Sequence, residues 1–329
     1  MKRTLRWLRR WGISLASLSG GILTLFVFRR GLPNVAWIIG YLLLLWLLFL
    51  VLTQVRQALE HSSRRRYRLM LTAVDYTVQS LHHGLLLFVL PAYYAAATLT
   101  SLNVIFVAVL VLLILIATFD PWYAALVHPR PWMRLVFFVV SIFAALNVAL
   151  PLLGVRPYVA LLLSAWAAVA ALTPSVRRAL DWPWTSSLVV SSVIGVLAAA
   201  VAGVACVLVP PAPLFVAHAD IRWNVGAVES LEPVREAIRL DELQQQGLTA
   251  YTAIYAPAGL RQPVAHVWKH RGHVKDVVVL TAVAGGRREG YRTWSRKTTF
   301  APDSVGRWTV DVMTTSGQLI GRLSFRVVA

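Results

Sequence analysis

Cysteine is almost missing from this chain. Cys206 stands alone, so no disulfide can form within the chain, and any part outside the cytoplasm must hold together by its own core. Acidic residues are scarce as well. Residues 1–209 carry 17 Lys and Arg but only four acids, Glu60, Asp75, Asp120 and Asp181. From residue 210 onward 15 basic residues face 10 acidic ones. Charged residues make up 14% of the chain, against about 25% in an ordinary soluble domain. The composition therefore changes near residue 209, and that change marks the domain boundary. Catalytic signatures are missing too. There is no Walker A loop, GxGxxG, HExxH, CxxC or nucleophile-elbow pentapeptide. The sequence thus points away from an enzyme and implies no cofactor.

What the chain has in abundance is apolar length: 58% of it is hydrophobic and the mean hydropathy is +0.65. Crossing a bilayer as a helix takes about 20 mostly apolar residues. Stretches of that kind lie near residues 11–28, 35–51, 69–90, 102–119, 135–153, 158–172 and 187–208. The basic start, MKRTLRWLRRW, reads as the flank of an uncleaved first helix, because further spans follow it. The expectation is a membrane all-α bundle of about seven transmembrane helices over residues 1–209. The last span is rich in Ala, Gly, Ser and Val, which lets neighbouring helices approach closely. Asn103, Asn147, Ser141 and Ser164 read as bonds between helices, and Tyr93, Tyr94, Trp122 and Trp132 as aromatic belts.

Basic residues orient this set. Alternate connections carry 14 Lys and Arg on one side and three on the other, Arg29, Arg30 and Arg156. The positive-inside rule then puts the N-terminus in the cytoplasm and the tail outside, which is the periplasm of a cell with an outer membrane. The same clustering accounts for most of the net charge of +18, so no nucleic-acid partner is implied.

Residues 210–218 open with Pro210, Pro211 and Pro213 and read as a linker. Beyond it the hydrophobic period changes to two. Strands are expected at 219–225, 248–255, 263–270, 273–283, 290–300, 307–313 and 319–328, with 230–246 either loop or helix. Seven short strands at this spacing predict an all-β immunoglobulin-like sandwich over residues 219–329. Arg271-Gly272 suits a two-residue hairpin turn. Counting back from it pairs His270 with His273, Trp268 with Lys275 and His266 with Val277. The Trp268–Lys275 pair would then make a cation–π contact.

These residues carry a resemblance. His266-Val-Trp268, Gly272, Arg292-Thr-Trp294-Ser-Arg-Lys297, Gly306-Arg-Trp308-Thr-Val310-Asp-Val312, Gly317 and Gly321 through Phe325 resemble an uncharacterised bacterial family. Its members carry a C-terminal sandwich domain of unknown function behind membrane helices. The resemblance covers residues 220–329. It departs at His270-Arg271, where Asn or a small polar residue is expected before the turn glycine. It implies fold and location and brings no catalytic residues.

Three groups are candidates for function. Asp75, Gln79 and His82, with His83 beside them, share a helical face. Ionisable groups at bilayer depth are costly and mark relays or ion sites, unless the face lies wet at the interface near Arg64–Arg68. Arg292, Trp294 and Arg296 alternate onto one strand face. Trp294 is either core or the centre of a strip that stacks on a sugar or an acidic partner. His266, His270 and His273 come nearest to a metal pattern, though no cysteine and no acid on that face joins them. The leading expectation is a non-enzymatic inner-membrane envelope protein, able to self-associate, whose periplasmic sandwich binds a protein or glycan partner. The alternative is a transporter or proton-coupled protein using Asp75 and His82.

Overall fold

The computed structural model describes residues 65–223 and 237–329 and a few helical positions between residues 40 and 55. The expected spans near 11–28 and 35–51 lie outside these stretches. Contacts divide the chain into two compact units. One comprises Met1–Pro91, Val107–Ala149 and Val159–Val204; the other comprises Ala92–Phe106, Leu150–Tyr158 and Ala205–Ala329.

The first unit is helical. Three of its helices are long and apolar enough to cross a membrane: Pro131–Leu152, Pro157–Leu180 and Trp184–Val204. A fourth candidate is the pair Val104–Thr118 and Asp120–Leu126, which meet at a bend of 104°. The expectation of about seven spans is therefore not met among the described residues, which give three or, with the bent pair, four. The expected span at 69–90 exists as a helix, Arg65–Ala96, but Asp75, Gln79, His82 and His83 dilute its apolar character. The expected span at 102–119 stops as a straight helix at Thr118, because Pro121 offers no amide hydrogen and its neighbours turn into a new helix.

Small residues do bring helices together. A Cβ placed on Gly195 would lie 2.9 Å from both the Trp166 ring and the Trp166 carbonyl oxygen, so only glycine permits that approach. Only 17% of the Trp184–Val204 apolar window is buried. Leu188, Val189, Val193, Leu197 and Val201 lie open on it. An open apolar surface of this extent is foreign to a soluble monomer and belongs to a membrane protein.

The second unit is β-rich. Its main strands are β1 (Phe215–Arg222), β2 (Ala237–Arg239), β3 (Leu248–Tyr255), β5 (Val264–His270), β6 (His273–Val279), β8 (Tyr291–Lys297), β9 (Gly306–Thr314) and β10 (Leu319–Val328). A two-residue pair, β4 (Arg261–Gln262) with β7 (Val283–Ala284), stands apart. One sheet has the order β1-β3-β8 and the other β2-β10-β9-β5-β6. All pairings are antiparallel except β2 with β10. Both sheets feed one core, in which Ile221, Leu248 and Ile254 of the first meet Trp268, Trp308, Val310 and Phe325 of the second. The stretch 230–246 ends in a short helix, Leu240–Gln246, that buries Leu243. Residues 210–218, read as a linker, carry Leu214 into this core and enter β1 at Phe215.

Two connections between helices are built into the same unit. Asn103, expected to bond helix to helix, instead accepts the Thr98 amide hydrogen at 3.1 Å and donates to the Leu319 carbonyl at 3.3 Å. That carbonyl lies where a β-bulge between Leu319 and Gly321 breaks the ladder with β9. Arg322 donates to the Thr100 carbonyl at 3.0 Å. In the second connection Gly154, at φ +86°, rests against the backbone of Gly259. Tyr93, expected in an aromatic belt, is buried and packs on Phe106 with ring centres 5.0 Å apart.

The β5–β6 hairpin turns at Arg271 and Gly272, with φ of +49° and +86°, the left-handed pair that a two-residue turn demands. His270 pairs with His273 as expected. A bulge between Trp268 and Lys269 then shifts the register, so Trp268 faces Asp276 and His266 faces Val278. The expected Trp268–Lys275 contact does not form; Trp268 is fully buried, packing edge-on against Phe300 and Phe325.

Candidate functional site

The three histidines of the hairpin are drawn apart. His266 points between the sheets, where Nδ1 meets Ser295 Oγ at 2.8 Å and Nε2 meets Thr252 Oγ1 at 3.0 Å. The Trp268 indole N–H donates to the same Ser295 oxygen at 3.1 Å, and Thr252 meets the Thr293 hydroxyl at 2.8 Å. His270 lies flat on Trp308, ring centres 4.8 Å apart, with Nε2 3.1 Å from the Val305 carbonyl. His273 faces outward. No metal-binding group of His, Cys, Asp or Glu exists among the described residues. The His266–Ser295 contact has the atoms of a base and a nucleophile, yet both are buried and bonded inside the core. Burial disfavours the imidazolium and lowers the His266 pKa to about 4. These features suit a cross-sheet brace better than a reactive pair.

Strand β8 reverses the usual sorting. Thr293 and Ser295 point inward, because their hydroxyls are needed by Thr252, His266 and the Trp268 indole. Arg292, Trp294 and Arg296 consequently point outward, and Trp294 is 52% exposed. The core alternative for Trp294 is thus replaced by the surface one. The neighbouring strands extend the strip. Trp294 lies opposite Tyr251, and Tyr251 opposite Asp220. The Arg222 guanidinium sits 5.0 Å from the centre of the Tyr251 ring. Arg296 is anchored to the Gln246 carbonyl at 3.0 Å, while Arg292 reaches Glu289 at 3.4 Å in an exposed, weak ion pair.

The other sheet carries a cationic cleft of about 420 Å³ on its outer face, lined by Lys269, Arg271, Arg307, Arg322, Thr100 and Thr309. Its floor is ionic. Buried Asp311 accepts from Lys269 at 2.7 Å and from Arg322 at 2.9 Å. Burial opposes the Asp311 charge, but the hydrogen bonds and positive charge of Arg322 and Lys269 outweigh it and hold the carboxyl below its usual range. No run of basic residues announces this cleft. The cations come from β5, the hairpin turn, β9 and β10, and only the alternation of each strand hints that they share a face.

In the helical unit the expected cluster is partly assembled. His82 is buried, with Nδ1 2.8 Å from the Ser141 hydroxyl and its ring edge-on to Phe137. Gln79 donates to the Ala117 carbonyl at 2.9 Å and to the Asp120 carboxylate at 2.7 Å. It thereby satisfies a carbonyl beside the bend, where Pro121 has no amide hydrogen to offer. His83 is buried and Asp75 half-buried.

A helical unit with apolar spans, joined to a β-rich C-terminal unit, defines the class: a membrane protein with an appended β domain. Residues 1–250 match a family described as a family of unknown function, DUF5924, and the chain belongs to it. Residues 261–327 are similar to a second, described as a protein of unknown function, DUF2914. Both descriptions agree with the resemblance to an uncharacterised family. The first match ends inside β3, so it reaches beyond the helices into the β-rich unit. None of the curated proteins matches.

Proposed function

We propose that this is a non-enzymatic inner-membrane envelope protein whose β domain binds a periplasmic protein or glycan through the Arg292–Trp294–Arg296 strip. The single observation that carries this reading is the exposure of Trp294 between two arginines. A large aromatic ring left open beside guanidinium groups is the residue chemistry of binding hot spots. It also suits stacking on a sugar face. The strand order supports an immunoglobulin-like sandwich. Numbered along the seven longer strands, one sheet runs 1-2-5 and the other 7-6-3-4, which corresponds to A-B-E and G-F-C-C′. Alternating crossings support the location. Connections 92–106 and 150–158 belong to one unit with the tail, as expected if all three lie on the same side of the membrane. Arg130, Arg134, Arg177 and Arg178 fall on the other, with only Arg156 opposing them, which favours a periplasmic tail. The transport reading has less support, since Gln79 and His82 already bond to Ala117, Asp120 and Ser141.

The test is crosslinking of intact membranes followed by purification of the full chain. Wild type is expected to recover a reproducible partner. Trp294→Ala should weaken that recovery by ~tenfold or more, while thermal stability changes little because the side chain is exposed. Unchanged recovery from Trp294→Ala and from the Arg292→Ala, Arg296→Ala double variant would rule the strip out.

A further inference from the structure

The cleft on the outer face of the five-stranded sheet is not used by that reading, and its composition is one-sided. Four cations line it, and the acid beneath them, Asp311, is consumed by Lys269 and Arg322. Arg271 and Arg307 are exposed, and neither has an ion-pair partner among the described residues. We propose that this cleft is a phosphate-recognition site, taking a phosphomonoester or phosphodiester anion.

Three observations support it beyond charge. The first is Arg271 itself. It sits at φ +49°, a left-handed conformation that a long side chain adopts at a cost and that Asn or Gly would adopt more easily. Strained residues of this kind gather at ligand clamps. Here the strained residue sends its guanidinium to the cleft wall and fixes it by a 2.8 Å bond to the Val305 carbonyl. The second is Gly306, at φ +131°. A Cβ there would lie 2.9 Å from Arg271 Nε and 3.3 Å from His270 Nε2, so the missing side chain leaves room for the Arg271 guanidinium. The third is geometry. The donors come from three neighbouring strands, a turn and the Thr100 connection, and they converge on one cleft. A tetrahedral anion with several acceptor oxygens suits such a set of donors, and guanidinium groups bind phosphate in bidentate fashion. A metal ion is excluded by the positive wall.

The phosphate has two sources. Thr100 lies four residues beyond the end of one helix at Ala96 and four before the start of the next at Val104. That is at most ~15 Å of chain to either, so a lipid headgroup is within reach, as is a soluble phosphate ester. The experiment uses the full chain purified in detergent and follows binding by calorimetry at low salt. The titrants are inorganic phosphate, a short-chain phosphatidylglycerol and sodium acetate. Phosphate or the lipid should bind, with affinity falling as salt rises. Arg307→Glu should weaken it ~tenfold or more, and Arg288→Glu, an equal charge change at an exposed site outside the cleft, should not. Arg307→Gln repeats the test without reversing charge, should the Glu variant fold poorly. Binding of the lipid alone assigns the headgroup as the source, and binding of phosphate alone assigns a soluble ester. The proposal is overturned if neither binds, if acetate binds as well as phosphate, or if the Arg307 variants bind like wild type.

Discussion

Lowering the pH from 7 to 4 is expected to remove about 3 kcal/mol from the stability of the β-rich unit through His266 alone. The folded state holds this imidazole neutral between Thr252 and Ser295, with a pKa of about 4, whereas the unfolded chain protonates it near 6.5. The native state therefore binds fewer protons than the unfolded state in this interval. Stability is fully present above pH 6.5, declines as pH falls, and has lost the whole contribution below 4. Denaturant melts of the full chain at a series of pH values should show this slope, and His266→Gln should flatten it. A wild type whose midpoint holds steady down to pH 4, or a His266→Gln chain with the same slope, would contradict the assignment. Asp311 acts in a separate, lower window. Its folded carboxyl titrates below the usual value, so its stabilisation holds above about pH 3.8 and is lost as pH falls through the folded value. The stability of the unit should therefore fall in two successive pH windows.

Removing the Asp311 carboxylate is expected to cost ~3 kcal/mol or more. Asp311 is the only acid that pairs with either Lys269 or Arg322 among the described residues, and both side chains are 22% exposed. Asp311→Ala strands two largely buried cations on β5 and β10, the strands that flank β9 on either side. Lys269→Met should cost much less, because Asp311 then keeps Arg322. Thermal or denaturant melts of the two variants check the order, and equal losses would show that the cluster does not act as an ionic unit.

Much of the β-rich unit was legible in the sequence because its strands follow a two-residue period and its turns carry glycine. What escaped the pattern were places where hydrogen bonding overrode hydrophobicity. Trp294 reads as core, yet β8 gives its inward face to Thr293 and Ser295, since a buried His266 and the Trp268 indole need partners. The pairing of Trp268 with Lys275 failed on a single bulge, which no local composition announces. In the helical unit, apolar length located the helices but not the break after Thr118. Gln79 supports that break from 38 residues away, a separation that no window of hydropathy reaches. The cationic cleft escaped for a similar reason: its four cations are spread over about 50 residues of chain and meet only through strand order.

Because the β-rich unit is assembled from residues 92–106, 150–158 and 205–329, it is discontinuous in the chain. During synthesis the first two pieces emerge long before the strands they join. Asn103 and Thr100 must then wait for Leu319 and Arg322, which lie 216 and 222 residues further along the chain. A fragment cut at the compositional boundary and expressed as a free domain would lack both pieces. It would leave the Leu319 carbonyl and one arm of Arg322 without their native partners, so its solubility would be a poor guide to how the intact chain matures.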